Sequence, residues 1–156
     1  MKIKEPQKEH EWLQQLVGEW TYESGEHDKE KMTGSETVRT LGGRWIVAEG
    51  KGIMPGGAPA ETIMSLGYDP ETKRYNGTWI GSMLSYLWVY DGELDEAKRR
   101  LTLKCEGPSM SGDGSMAKYE DVVEIVSPNE RLLRARILGE DGRWNEFMTT
   151  RYLRKS

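Results

Sequence analysis

From Gly18 onward the chain repeats one pattern: a short run of alternating apolar and polar residues, a tight-turn signal, then another run. Alternation at period two is how a strand with one buried face reads in sequence. Such runs fall at 18–24, 34–41, 44–52, 61–68, 73–80, 83–94, 100–106, 117–126, 131–138 and 143–153. Between them stand Gly42-Gly43, Asp69-Pro70, Ser127-Pro128-Asn129 and Asp141-Gly142, whose residues favour hairpin turns. No stretch long enough for a crossover helix separates consecutive strands, which excludes parallel βαβ units. The expected fold is all-β. About ten antiparallel strands run up and down in serial hairpins and close into a barrel, because closure removes both exposed edges.

Ahead of the strands, residues 6–17 carry the one helical pattern, with Trp12, Leu13, Leu16 and Val17 on a stripe and Gly18 ending it. A length of 156 residues suits one domain, so 1–156 is expected as one barrel unit, with the leading helix at 6–17 and the barrel at 18–153. Met54–Pro59 and Gly107–Gly114 read as mobile loops. The single cysteine, Cys105, allows no internal disulfide and favours a reducing compartment. No apolar run is long enough for a signal peptide or a membrane span, so a cytoplasmic protein that meets no membrane is expected. Net charge is −4, and acids and bases are interspersed, so nucleic acid is not an expected partner. His10, on the leading helix, and His27, in the charged loop GEHDKEK, read as isolated surface residues. Neither metal nor cofactor is expected.

Hairpin register predicts which side chains face inward. A two-residue turn at Gly42-Gly43 pairs Thr40 with Trp45, Val38 with Val47 and Glu36 with Glu49 on one face. Around Asp69-Pro70, Met64, Leu66 and Tyr68 share a face with Tyr75, Gly77 and Trp79. Along 83–94, Leu84, Tyr86, Trp88 and Tyr90 alternate with Ser85, Leu87 and Val89. Around Asp141-Gly142, Leu133, Ala135 and Ile137 face the same way as Glu146, Met148 and Thr150, with Arg134 and Arg136 outside. The cavity candidates are therefore Met64, Tyr68, Tyr75, Trp79, Tyr86, Trp88, Tyr90 and Met148, joined by the acids Glu49, Asp121 and Glu146, with Glu36 a further inward acid. A buried carboxylate is costly unless paired, so several of them inside the barrel imply a polar or cationic ligand or bound water. Residues 83–94 are apolar on both faces. Leu87 and Val89 then need a cover, either the helix through Trp12 and Leu16 or, the favoured expectation, a second subunit in a homodimer.

Gly18-Glu19-Trp20, after a short helix and opening the first strand, resembles the G-x-W that opens lipocalin-like barrels. In that family the Trp closes one barrel end and an Arg of the last strand packs over it. Arg151 or Arg154 is placed for that role. The stretches GEWTYESGEH, ETVRTLGGRWIVAEGKGIMPG, SLGYDPETKRYNGTWIGSMLSYLWVYDGELD and GEDGRWNEFMTTRYLRK resemble a bacterial family known as domain of unknown function 1579. The likeness runs across nearly the whole chain, and LGYDPETKRYNGTW is its most specific part. It implies a calycin, lipocalin-like barrel and no established activity. Nitrobindin-like barrels hold haem through a wall histidine, whereas His10 and His27 both lie off the predicted wall strands, so haem is not expected. Calycin enzymes such as phenolic acid decarboxylases work with Tyr, Arg and Glu inside the barrel.

Three functions fit these residues. One is a module that binds a small, partly aromatic or amphipathic molecule inside the barrel, with Glu49 or Glu146 orienting its polar groups. The second is an enzyme using interior Glu and Tyr for acid–base chemistry of a decarboxylase- or isomerase-like kind. The third is a homo-oligomeric interaction protein with a filled barrel. An aromatic cavity favours the first, a carboxylate touching a Tyr hydroxyl within it the second, and a filled interior the third.

Overall fold

Ten strands in an unbroken hydrogen-bonded ring follow one short helix in the computed structural model, which describes residues 1–25 and 31–155. His27 lies outside the described residues. In chain order the elements are α1 (Lys8–Gln14), β1 (Gly18–Gly25), β2 (Met32–Leu41), β3 (Trp45–Ile53), β4 (Pro59–Asp69) and β5 (Arg74–Gly81). They continue with β6 (Trp88–Leu94), β7 (Arg100–Pro108), β8 (Met116–Ser127), β9 (Glu130–Leu138) and β10 (Trp144–Arg154). Each strand pairs antiparallel with its chain neighbour, and β1 meets β10 with Trp20 opposite Arg154, so no edge is left open.

The helix plugs one end of the barrel. Seven residues cannot hold a helix in water alone, so α1 depends on what it packs against. Leu13 and Leu16 are buried on the barrel core, and Trp12 donates its indole N–H to the Lys98 carbonyl at 2.8 Å. His10 is buried as well, which corrects its expected surface position. Its Nδ1 accepts from the Gln7 amide at 2.8 Å, capping the first turn, and its Nε2 lies 3.0 Å from the Tyr68 carbonyl, which only an N–H there can satisfy. One side chain thus starts the helix and ties it to β4.

Trp20 closes the same end as expected, with the Arg154 guanidinium 4.2 Å from its ring centroid. Arg154 also donates to the carbonyls of Val17 and Gln15, each at 2.7 Å, joining the last strand to the helix exit. Arg151, the other candidate, points outward to Glu130 at 2.8 Å.

Register departs from expectation in three places, each for a local reason. Arg44 joins Gly42 and Gly43 in the β2–β3 turn, both glycines at positive φ, so Leu41 pairs with Trp45 and the ladder shifts by one residue. Glu36 stays inward, opposite Gly50, but Glu49 pairs with Thr37 and turns outward, 3.5 Å from Arg39. In β10 a bulge between Glu146 and Met148 inserts Phe147 and reverses parity. Met148 faces inward opposite Ala135, whereas Glu146 faces outward and meets Arg134 at 3.3 Å and Arg136 at 3.5 Å. Finally, the run 83–94 becomes a strand only at Trp88, because the β5 ladder ends where Trp79 pairs with Trp88. Residues 82–87 form a loop, with Tyr86 bonded to the Glu106 carbonyl at 3.0 Å.

Candidate functional site in the barrel lumen

Inward side chains divide the barrel into two halves. At the helix end Trp20, Val38, Ile46, Leu66, Leu101 and Leu103 are fully buried against one another. Toward the other end Met64, Trp79, Trp88, Asp121, Ala135 and Met148 also point inward, as the ladder pairs fix, yet each keeps accessible surface. Side chains turned away from the outside of a closed barrel are reached from its interior or from its open rim. The barrel is therefore densely packed at the helix end and less completely sealed toward the other.

The lumen carries one carboxylate without a cation. Asp121 lies inward on β8, opposite Leu103 and Ala135. The Tyr90 hydroxyl donates to its Oδ2 at 2.5 Å. The other oxygen, Oδ1, accepts no hydrogen bond from the described residues and is not sealed from the lumen. Burial raises the Asp121 pKa to about 6, and the Tyr90 hydrogen bond, which lowers it, offsets only part of that. The same desolvation, aided by the Asp121 charge, pushes the Cys105 thiol up to about 12 and the Tyr90 phenol well above its usual range. Both are neutral at physiological pH.

Below Asp121 the floor of the lumen is a buried ion pair. Glu36 and Arg131 bond directly, and the guanidinium stacks 3.8 Å from the Tyr152 ring centroid and 4.7 Å from that of Trp20. Arg131 is thereby neutralised, though its Nε has no partner. Sequence reasoning missed this arginine, although it shares parity with Leu133, Ala135 and Ile137 along β9.

Aromatic rings lie flat on the wall where glycines leave room. A Cβ on Gly52 would meet the Tyr22 hydroxyl at 2.2 Å, and one on Gly107 would meet the Trp88 ring at 2.0 Å. These glycines are needed for close approach. Trp88 then packs edge-on with Tyr86 at 5.0 Å and with Tyr119 at 5.1 Å, forming an aromatic arc at the end away from α1.

The structure brings Met64, Trp79, Trp88, Tyr90, Asp121 and Met148 to the lumen, with Tyr86 at its rim. It removes Glu49 and Glu146 to the outer face. Tyr68 and Tyr75 face inward at the plugged end, their rings 4.9 Å apart beneath α1, where the Tyr75 hydroxyl donates to the Glu9 carbonyl at 3.2 Å. Leu87 and Val89 point outward and are 53% and 60% exposed, so the helix does not cover them. Among the described residues no cluster of His, Cys, Asp and Glu is placed to hold a metal ion, and no helix is long and apolar enough to cross a membrane. Two clefts flank α1 at the plugged end, one beside Trp12 and Lys98 and one beside Leu16 and Pro128. Both open broadly to solvent, and the first is lined by Trp12 and Tyr75 together with Glu9, Glu11 and Lys98.

Plug and closed ring of ten antiparallel strands together define an up-and-down β-barrel. The family model of the protein of unknown function DUF1579 matches residues 5–154, and the chain belongs to that family. No curated protein matches it. Among solved structures, that of Rv2717c from M. tuberculosis is similar at a TM-score of 0.66 and 10% identity, covering 97% of this chain and 100% of that one. A de novo designed fluorescence-activating β-barrel is similar at a TM-score of 0.52 and 17% identity, covering 91% and 95%. EF1p2_mFAP2b, solved bound to DFHBI, is similar at a TM-score of 0.52 and 14% identity, covering 94% and 98%. At these identities the likeness is one of fold.

Proposed function

We propose that this protein binds a small, partly aromatic or amphipathic molecule in the hollow half of its barrel, against Trp79, Trp88, Met64 and Met148, with Asp121 and Tyr90 as the polar anchor. The observation that carries this reading is the accessible surface kept by inward side chains in a barrel whose other half is fully packed. Pockets of this make-up, apolar and aromatic with a few convergent polar groups, are the usual form of small-molecule sites. A barrel of similar fold is solved bound to DFHBI, which supports the reading that this architecture can bind a small molecule. The test is Trp fluorescence quenching by a panel of aromatic acids, alcohols and amines, with Trp88→Ala as control. Saturable quenching that the variant weakens at least tenfold is expected, and no saturable quenching by any class overturns the reading.

The hydrogen bond at 2.5 Å between Asp121 and Tyr90 favours a second reading, acid–base catalysis by that pair in place of the interior Glu expected from sequence. Native mass spectrometry of protein incubated with a ligand separates the two: a binding module returns the ligand unchanged, an enzyme returns it altered.

The outer wall supports a proposal about assembly. Ile63 pairs with Ile80 on the outer face of β4 and β5, and Leu87 and Val89 continue this apolar surface. Its rim carries both signs, Arg74 with Asp91 and Lys51 with Glu61, which suits a two-fold contact in which a surface meets its own copy. The proposal is a homodimer through this wall. Sedimentation of the wild type against Leu87→Glu/Val89→Lys tests it. A dimer that the double variant dissociates is expected, and a monomeric wild type overturns the claim.

A further inference from the structure

We infer that the molecule held in the lumen carries a cationic head, a protonated amine or amidine, that seats on the free oxygen of Asp121 while its apolar body lies against Trp79 and Trp88. The inference rests on the proposed lumenal binding and names the ligand's chemical class.

A carboxylate removed from bulk water needs several donors or a counter-charge, and Asp121 has one donor, the Tyr90 hydroxyl. The groups that face it from neighbouring elements supply no cation. β6 contributes Tyr90 and β7 contributes Cys105 and Leu103. β9 contributes Ala135, and β10 contributes Met148 with Tyr152 further in. Tyr90, Cys105 and Tyr152 are all held in their neutral forms by burial. The cationic side chain in the lumen floor, Arg131, is bound to Glu36 and stacked on Tyr152. What the site lacks is one positive charge with a hydrogen to donate, delivered from the lumen side. An anionic ligand would meet Asp121 as a like charge, and a neutral hydroxyl would supply a donor without the charge. The surrounding tryptophans add attraction for a cation over a ring face.

A matched series sharing one aromatic body tests the assignment: 2-naphthylethylamine, 2-naphthylethanol and 2-naphthylacetate, titrated calorimetrically into wild type, Asp121→Asn and Trp88→Ala. At about pH 7.5, where Asp121 is ionised, the amine is expected to bind wild type about tenfold tighter than the alcohol, the usual worth of a charge-assisted hydrogen bond. The acetate is expected to bind more weakly than both. In Asp121→Asn the amine preference disappears while the alcohol binds as before. In wild type the preference also shrinks at about pH 5, where the carboxyl is protonated. If the alcohol or the acetate binds as well as the amine, or the preference survives in Asp121→Asn, the cationic assignment is wrong and lumenal binding stands. If none of the three saturates, or Trp88→Ala leaves all three unchanged, the lumenal reading fails and takes this inference with it. Asp121→Asn removes a buried charge and keeps the side-chain shape, and circular dichroism checks its fold.

Discussion

Asparagine has the shape of aspartate and keeps an oxygen for the Tyr90 hydroxyl, so Asp121→Asn removes a charge and little else. Burial lifts the Asp121 pKa from its ordinary 3.8 to about 6. Each unit of difference between folded and unfolded states is worth 1.36 kcal/mol, so ionising this group inside the barrel costs about 3 kcal/mol. The sign follows from which state holds the proton. Below about pH 4 both states are protonated and Asp121 is neutral toward folding. Between about pH 4 and 6 the folded protein keeps a proton that the unfolded chain has lost, so stability falls as pH rises. Above about pH 6 the full penalty applies. The variant should therefore gain on the wild type with rising pH, from near zero at about pH 4 to about 2–3 kcal/mol at pH 7, after a small loss for a weaker Tyr90 hydrogen bond. Urea denaturation of both proteins across this range measures the difference, and the other titrating groups cancel. A variant no more stable than the wild type at pH 7, or a difference that does not change with pH, refutes the reasoning.

Glu36→Gln leaves Arg131 buried without its counter-charge and is expected to cost about 3–5 kcal/mol in urea denaturation, whereas the double change Glu36→Leu/Arg131→Leu should cost far less. Gly107→Ala drives a methyl group into the Trp88 ring and should destabilise by about 1–3 kcal/mol, shifting Trp fluorescence and weakening lumenal ligands together. Arg154→Ala removes the ring contact with Trp20 and two hydrogen bonds to the helix exit, and should cost about 2–3 kcal/mol, with amide exchange of residues 8–17 accelerating more than that of β4.

The number, order and direction of the strands were legible because they depend on local signals: alternation within a run and turn residues between runs. All ten runs became strands. Register was legible only where the turn length was. Tyr68 pairs with Tyr75 and Met64 with Trp79, as the Asp69-Pro70 hairpin predicts. Gly42-Gly43 misled because glycine is as much at home in a three-residue turn as in a two-residue one, and the single extra residue carried Glu49 to the surface. The bulge at Phe147 did the same to Glu146, and nothing in the residues 144–148 announces it. Asp121 was recognisable as inward from the parity it shares with Tyr119 and Val123. Its partner was not, since Tyr90 lies on β6 with all of β7 between them. Contacts that skip a strand arise from barrel curvature, and no spacing along the chain encodes them.

The two halves of the barrel also divide stability from chemistry. At the plugged end, Trp20, Leu13, Ile46, Leu66, Leu101 and Leu103 are sealed, and buried residues of this size contribute roughly 1.5–3 kcal/mol each. The opposite end is less tightly packed and adds an ionisable group whose charged form opposes folding near neutral pH. For stability alone, an apolar residue opposite Ala135 and Leu103 would serve better than Asp121. The carboxylate, the tyrosine that holds one of its oxygens and the glycines that let Tyr22 and Trp88 lie against the wall all work against a filled core. On the proposed reading they keep open a space with one polar contact directed into it. Such a space costs stability whenever it stands empty and returns that cost only when a molecule fills it, so the protein should be measurably stabilised by its ligand in proportion to RT ln(1 + [L]/Kd).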